Sequence, residues 1–197
     1  MADTPALDWA RVEQLVEGCA QCPLHQGIRH KVLGQGDRHA PLMLIGEGPG
    51  EREDEEGLAF VGAAGQLLTR MLAAISLPRD RVYICNVVKC RPPRNRTPLP
   101  EEMAACLPLL RMQTALIRPK VIVLLGATAA RATLNPDIRI TRDRGQWTLR
   151  KGVWMMPTYH PSFLLRDEQR KPEAWQDLQR LRDKLMELGL YQDLYGA

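Results

Sequence analysis

The chain has 197 residues, of which 45% are hydrophobic, which is enough to bury one substantial core, so we expect a single domain over residues 1–197. The net charge is only +4, too small by itself to indicate a protein that binds nucleic acid. The first dozen residues lack the basic and apolar regions of a secretory signal, and no segment reaches the roughly 18 apolar residues that a membrane span needs. We therefore expect a soluble, cytoplasmic protein that binds no membrane.

Short apolar runs alternate with segments of helical periodicity along the chain. In order, the sequence predicts a helix from an N-cap at Asp8 to residue 16, a strand at 41–46, a helix at 65–75, a strand at 82–88, a helix that begins at Pro100, a strand at 120–126, a helix after 126, a strand at 153–157 and a helix at 172–188. Continuous apolar strands that alternate with helices favour the α/β class, a parallel sheet covered on both faces. In such a fold, ligands bind beyond the carboxyl ends of the strands.

Four of the five cysteines form a close pair, Cys19 and Cys22, and a distant pair, Cys90 and Cys106. A C-x2-C pair completed by two more thiolates is typical of zinc or iron–sulfur sites, although buried free thiols or a redox pair remain the alternative. The fifteen residues between Cys90 and Cys106 differ from the second C-x2-C of a zinc ribbon and favour an iron–sulfur cluster. Cys85 falls inside an apolar run and is expected to be a packing residue.

A glycine-rich turn, GEGPG at 46–50, follows the first predicted strand. It is neither a dinucleotide fingerprint, because Glu51 occupies the place of the last glycine, nor a phosphate-binding loop, because the Gly-Lys-Ser/Thr ending is missing. Its glycines let a ligand approach the main chain closely. Glu47 in this turn is either an ordinary solvated carboxylate or a group directed at that ligand.

Three more residues are expected near the same edge of the sheet, and each has an ordinary structural alternative. Phe60 lies in a loop, where it either anchors the loop or stacks on a base. Asn86 either caps a turn or presents a donor and an acceptor to the edge of a base. His160 is either a structural histidine or part of a polar, rigid loop at 159–162 that takes part in function.

Taken together, these motifs resemble the family 4 uracil-DNA glycosylases, which carry a [4Fe–4S] cluster. The resemblance rests on GEGPGEREDEEGLAFVGAAGQLL at 46–68, NVVKCRPPRNRTP at 86–98 and YHPSFLLR at 159–166, together with the cysteine spacing, and it extends from about residue 19 to the last predicted helix. It implies a three-layer α/β/α sandwich with a central four-stranded parallel sheet. It also implies that the cluster ligands are Cys19, Cys22, Cys90 and Cys106.

The resemblance further implies how uracil is bound. The turn from Gly46 to Gly48 contacts the base through its backbone and the Glu47 carboxylate, and Phe60 stacks on the ring. Asn86 binds the O4 and N3 edge, and His160 faces O2. The side chain of Glu53 crowds a C5 methyl group, which excludes thymine.

The implied reaction takes uracil out of the DNA helix and hydrolyses its N-glycosidic bond, so that free uracil and an abasic site result. A donor from His160 stabilises the charge that grows on O2, while Glu47 is our candidate to stabilise the sugar cation and position water, with Asn95 as another water-orienting group. Ser162 and Arg166 are the expected DNA contacts. We expect a monomer that acts on uracil-containing DNA and a cluster whose role is mainly structural.

The chain departs from the family at 57–60, where Gly-Leu-Ala-Phe replaces the common Gly-Arg-Pro-Phe. It lacks a histidine-containing insertion after the second strand, so covalent trapping on DNA is not expected, and it has no matched lysine for a Schiff base, so strand cleavage is not expected either. Two other classes stay open. One is a binding protein that keeps the pocket without turnover, and the other is a zinc module on a nucleotide-binding domain.

Overall fold

Six strands form one mixed sheet at the centre of the computed structural model, which describes residues 7–195. The strands are β1 (Gln35–Gly36), β2 (Leu42–Gly46), β3 (Tyr83–Asn86), β4 (Val121–Leu125), β5 (Thr148–Arg150) and β6 (Val153–Thr158), in the spatial order β1-β3-β2-β4-β6-β5. The four inner strands pair in parallel, whereas β1 and β5 are antiparallel edges.

The four predicted strands are confirmed as the parallel centre of the sheet, and two antiparallel edge strands extend it to six. The two additional strands have two and three residues, and every residue of β5 is exposed. Edge strands of this length bury no face, so they leave no apolar pattern in the sequence.

The helices are α1 (Trp9–Glu17), α2 (Glu51–Glu56), α3 (Ala63–Ala74), α4 (Pro100–Ile117), α5 (Ala127–Thr133), α6 (Ile140–Asp143), α7 (Pro161–Arg166), α8 (Lys171–Glu187) and α9 (Tyr191–Tyr195). The five predicted helices all form, and Asp8 caps the first of them by accepting a hydrogen bond from the N–H of Arg11 at 2.8 Å. No helix within residues 7–195 is both long and apolar enough to cross a membrane.

Residues 161–166 form a helix, which corrects the prediction of a loop after His160. Pro161 occupies the first helical position, where its fixed φ suits the helix and its missing N–H costs nothing. The imidazole of His160 caps the helix, since its Nδ1 accepts a hydrogen bond from the N–H of Ser162 at 3.1 Å. The histidine is therefore held at a strand–helix junction.

The sheet separates two hydrophobic cores, which makes the fold a three-layer sandwich. Successive side chains of a strand point to opposite faces, so Leu44 joins a core with α3 and α8, whereas Ile45 joins a core with α1, α4 and α5. Cys85 is fully buried in the second core, as expected of a packing residue. The α/β/α fold class is thus confirmed.

Candidate active site

A cleft of about 750 Å³ opens beyond the carboxyl ends of the parallel strands. The predicted site residues that line it are Glu47, Gly48, Glu53, Phe60, Asn86, Asn95, His160, Ser162 and Arg166. Gly46 lies against it, because a Cβ atom there would come within 2.5 Å of both Asn86 Oδ1 and the Phe60 ring. The structure therefore brings the predicted base, DNA and water contacts to one place.

Asn86 ends β3 with its side chain at the cleft. The residue is 1% exposed, and its Oδ1 is a buried atom with no hydrogen-bond partner in the described part of the chain. Its backbone is fixed by pairing with Gly46 and by the next N–H, of Val87, which donates to the Gly46 carbonyl at 2.9 Å. Because buried polar atoms are nearly always paired in folded proteins, this acceptor is suited to a donor on a bound ligand.

The ring of Phe60 lies beside that of His160, with 5.7 Å between the ring centroids and 35° between the planes. Phe60 has a φ of 54°, a left-handed conformation that costs free energy in any residue other than glycine. Arg79 holds the loop in this conformation, since its Nη2 donates to the carbonyls of Ala59 and Phe60, each at 2.8 Å. Sequence reasoning did not identify Arg79.

The Glu53 carboxylate lies between the glycine-rich turn and the Phe60 loop. It accepts hydrogen bonds from the N–H groups of Gly50 at 3.1 Å, Val61 at 2.9 Å and Gly62 at 2.8 Å. The side chain is largely buried by these contacts, with 9% of the residue exposed. Glu53 thus fastens the loop that carries the aromatic ring, and its resemblance-based role against thymine stays a prediction.

His160 is a neutral hydrogen-bond donor in this site. Burial, assisted by the nearby charge of Arg166, lowers the pKa of His160 from 6.5 to about 4. Since Nδ1 accepts the N–H of Ser162, the single proton of the neutral ring lies on Nε2. The Ser162 hydroxyl lies 2.7 Å from the same Nδ1 and donates to it. The ring is therefore fixed, and no group within residues 7–195 accepts its Nε2 donor, which leaves that donor for a ligand.

Two further side chains at the cleft have partners that orient them. The hydroxyl of Thr128, at the start of α5, donates to Glu47 Oε2. The Oδ1 of Asn95 accepts a hydrogen bond from Arg91 Nε at 2.7 Å, in a segment where Arg94 and Asn95 both adopt left-handed φ values, 53° and 57°. Thr128 was not identified from the sequence, because nothing local marks it as a partner of Glu47.

The four predicted metal ligands lie apart from the cleft. They line one small cavity next to α1 and α4, formed by Cys19, Cys22, Cys90 and Cys106. Burial, followed by the proximity of Cys106, raises the pKa of Cys90 to about 12, and burial also raises the pKa of Cys106. Among residues 7–195, no three His, Cys, Asp or Glu side chains are grouped closely enough for a single metal ion.

Comparison with known proteins places the chain in a family. The family model of the uracil DNA glycosylase superfamily matches residues 33–179. The chain belongs to this superfamily. It is 49% identical over 160 residues to a Type-4 uracil-DNA glycosylase of Thermotoga maritima, covering 79% of this chain and 82% of that protein. A Type-4 uracil-DNA glycosylase of Pyrobaculum aerophilum is 40% identical over 183 residues, covering 87% and 92%.

The superfamily also contains Type-5 enzymes, and the similarity to these is lower. A Type-5 uracil-DNA glycosylase of Pyrobaculum aerophilum is 34% identical over 146 residues, covering 66% of this chain and 64% of that protein. The resemblance to family 4 that the sequence motifs indicated is therefore confirmed.

Behind His160, this superfamily member has a buried ionic network that sequence reasoning missed. Asp177 of α8 is 0% exposed and accepts hydrogen bonds from Arg144 at 2.8 and 2.9 Å and from the hydroxyl of Thr158 at 2.7 Å. The hydroxyl of Tyr159, the residue after Thr158, donates to the Glu173 carboxylate at 2.8 Å. The end of β6 is thereby tied to α8 directly before His160. The sequence feature that could have revealed this network is Asp177, a charged residue on the apolar face of the helix predicted at 172–188.

Proposed function

We propose that this protein is a uracil-DNA glycosylase that hydrolyses the N-glycosidic bond of uracil in DNA and leaves an abasic site. The observation that carries the proposal is one cleft in which a buried, unpaired amide oxygen, an aromatic ring and a neutral imidazole donor meet. These are the groups needed to hold a flipped pyrimidine by its edge and face, and superfamily membership supplies the chemical context.

The base would be recognised by Asn86 and Phe60. Uracil N3–H supplies the donor that the buried Oδ1 of Asn86 lacks, and the same amide can donate to O4. The Phe60 ring offers a stacking face beside this amide, a contact worth about 1–3 kcal/mol per base in single-strand binding. The missing Cβ of Gly46 leaves room for both groups to approach each other.

Departure of the base would be assisted by His160. As the glycosidic bond breaks, negative charge accumulates on uracil O2, and a preorganised donor aimed there stabilises the transition state. Because the imidazole is neutral above a pH of about 4, it stabilises this charge by a hydrogen bond from Nε2 and keeps its proton. The Ser162 contacts at Nδ1 hold the ring in the required tautomer.

Glu47 would stabilise the positive charge that develops on the sugar and position the attacking water. Its carboxylate is oriented by the hydroxyl of Thr128, and Asn95 lines the same cleft as a second water-orienting group. The test is Glu47→Gln, which we expect to slow single-turnover excision while DNA affinity is retained. Excision at the rate of the unmodified protein would refute this role.

The cofactor we propose is a [4Fe–4S] cluster held by Cys19, Cys22, Cys90 and Cys106. The fit rests on the donor set, because four thiols from separate segments line one cavity. When bound, the cluster supplies four iron–thiolate bonds that link the segment before β1 to α4 and to the loop after β3. Iron and acid-labile sulfide analysis of the protein purified without oxygen tests this, and stoichiometric zinc in place of iron would contradict it.

The reaction itself is tested with an end-labelled oligonucleotide that contains one uracil, incubated with the protein and analysed on a denaturing gel with and without hot alkali. We expect cleavage only after alkali, which marks a monofunctional glycosylase. We further propose that the protein acts as a monomer on intracellular DNA. Cleavage without alkali would indicate lyase activity, and a band shifted upward would indicate covalent trapping. An intact, unshifted oligonucleotide would favour a binding protein without turnover.

A further inference from the structure

Lys89 carries a charged group into the protein interior without a carboxylate to balance it. The residue is 1% exposed, and none of the ion pairs found within residues 7–195 includes it. Its Nζ donates one hydrogen bond, to the carbonyl of Asn86 at 2.8 Å. Burying an ammonium is costly unless its surroundings supply negative charge, so the position of Lys89 calls for an anion nearby.

The cavity of the four cysteines is where that anion would lie. Lys89 lines the same cavity, and its backbone N–H donates to the Sγ of Cys106 at 3.3 Å. Cysteines bind a metal centre as thiolates, so a cluster with four of them carries net negative charge in the interior. Lys89 thus lies where a thiolate-bound cluster would need a counter-charge.

The ammonium of Lys89 binds the backbone of a residue that lines the base-binding cleft. The carbonyl that accepts its Nζ belongs to Asn86, whose side chain faces the cleft. The backbone between these residues is fixed to the glycine-rich turn, because the N–H of Val88 donates to the carbonyl of Glu47 at 3.1 Å. Lys89 therefore contacts the thiol of Cys106 through its backbone N–H and the strand end that presents Asn86 through its ammonium.

We propose that Lys89 is a positioning residue that couples the cluster to the base-binding site. Its ammonium is the counter-charge of the thiolate-bound cluster, and its hydrogen bond to the Asn86 carbonyl fixes the amide that binds uracil. The inference rests on the cofactor proposed above and deepens it, since it gives the cluster an electrostatic partner and a defined connection to the cleft.

The test compares Lys89→Met, which keeps the length of the side chain and removes its charge, with Lys89→Arg, which keeps the charge. Lys31→Met is the matched control, because Lys31 lines the same cavity but is partly exposed, so its charge is screened by solvent. Iron and sulfide content, the cluster midpoint potential, DNA affinity and single-turnover uracil excision are measured for each protein.

We expect Lys89→Met to shift the midpoint potential to a more negative value, because removal of a nearby positive charge disfavours the added electron. Excision should fall by roughly 10–100-fold, as for other residues that orient a site through their neighbours, while DNA affinity is kept. Lys31→Met should shift the potential by less, because Lys31 lines the same cavity but is partly exposed, and it should leave excision unchanged. Lys89→Arg should stay close to the unmodified protein in potential.

The outcomes separate this inference from the cofactor proposal. An unmodified protein that holds no iron would refute both. An iron-containing Lys89→Met variant with an unchanged potential would refute the counter-charge role alone. If Lys89→Met does not accumulate with a cluster, Lys89→Gln and Lys89→Arg are compared. Loss of the cluster from Lys89→Gln but not from Lys89→Arg would support a need for the positive charge. Loss from both would show that the shape of lysine is required, which overturns the proposal.

Discussion

Replacing Glu53 by glutamine tests how the loop that carries Phe60 is held. The carboxylate accepts three backbone N–H groups, two at Oε1 and one at Oε2. Glutamine keeps an acceptor for Val61 and Gly62 but loses the charge, and its amide nitrogen faces the N–H of Gly50 as a second donor. Charge-assisted hydrogen bonds are worth about 1 kcal/mol more than neutral ones, and an unmade buried bond costs about 1–3 kcal/mol.

We therefore expect Glu53→Gln to lower the free energy of unfolding by about 3–5 kcal/mol, counting two weakened bonds and one lost bond. For a protein of this size, this corresponds to a melting temperature lower by about 6–20 °C. The control is Glu55→Gln on the same helix, because Glu55 forms only an exposed pair with Arg29, at 3.6 Å. Such exposed pairs contribute about 0–1 kcal/mol, so the control should melt close to the unmodified protein.

Uracil and thymine oligonucleotides, assayed with Glu53→Gln and with Glu53→Ala, distinguish two roles of Glu53. If Glu53 only holds the loop, both variants should excise uracil more slowly, since Phe60 is less well held, and neither should excise thymine. Glutamine keeps the size of glutamate, so a side chain that also excludes the C5 methyl group predicts measurable thymine excision by Glu53→Ala alone. A melting temperature within 1 °C or so of the unmodified protein, together with normal uracil excision, would refute the hydrogen-bond argument, because three buried bonds cannot be replaced at no cost.

Three further predictions follow from the same contacts. The pKa of His160 is about 4 in the folded protein and 6.5 for an unperturbed histidine, so the folded state binds fewer protons than the unfolded state between these pH values. His160 therefore lowers the stability of the fold as pH falls from 6.5 to 4. A pH–rate profile should show no inflection of the excision rate from His160 near pH 6.5. Asp177→Asn breaks the buried pair with Arg144 and should cost about 3–5 kcal/mol of stability in thermal unfolding, with slower excision. Gly65→Ala should weaken the use of uracil DNA, measured as a raised KM, because a Cβ atom would lie 1.7 Å from the carbonyl oxygen of Phe60 and displace its loop.

The sequence predicts the parallel centre of the sheet because its strands are buried on both faces. Residues 42–46 and 121–125 are buried without exception, and continuous apolar runs between glycines and prolines express this directly. The edge strands are not buried on both faces, so no continuous apolar run marks them. The helix at 161–166 was missed because His160 caps it through a ring nitrogen, which is not one of the usual N-cap oxygens.

The candidate site follows from the sequence only in part. Residues such as Asn86 and His160 were found because topology collects the ends of parallel strands, so a motif placed after a strand predicts a position in the cleft. Supporting residues such as Arg79 and Asp177 form their contacts through tertiary packing, about 20 residues away from their partners. No local periodicity encodes such a pairing, although Asp177 stands on the apolar face shared by Ala174 and Leu181, which marks it as unusual.

The segment between Cys90 and Cys106 explains how the cavity of the four cysteines can affect the cleft. Its loop carries Asn95 to the cleft and is closed by Arg96, which forms two hydrogen bonds to the buried carboxylate of Glu102, at 2.6 and 2.8 Å. Glu102 also caps α4 by accepting the N–H of Leu99 at 2.7 Å, one turn before Cys106. Fixing both ends of a loop reduces the entropy that it must lose on ordering. Cysteine ligation at both ends would therefore order the Asn95 side of the cleft, while on the Asn86 side the pairing of β2 and β3 acts together with the hydrogen bond from Lys89 Nζ to the Asn86 carbonyl.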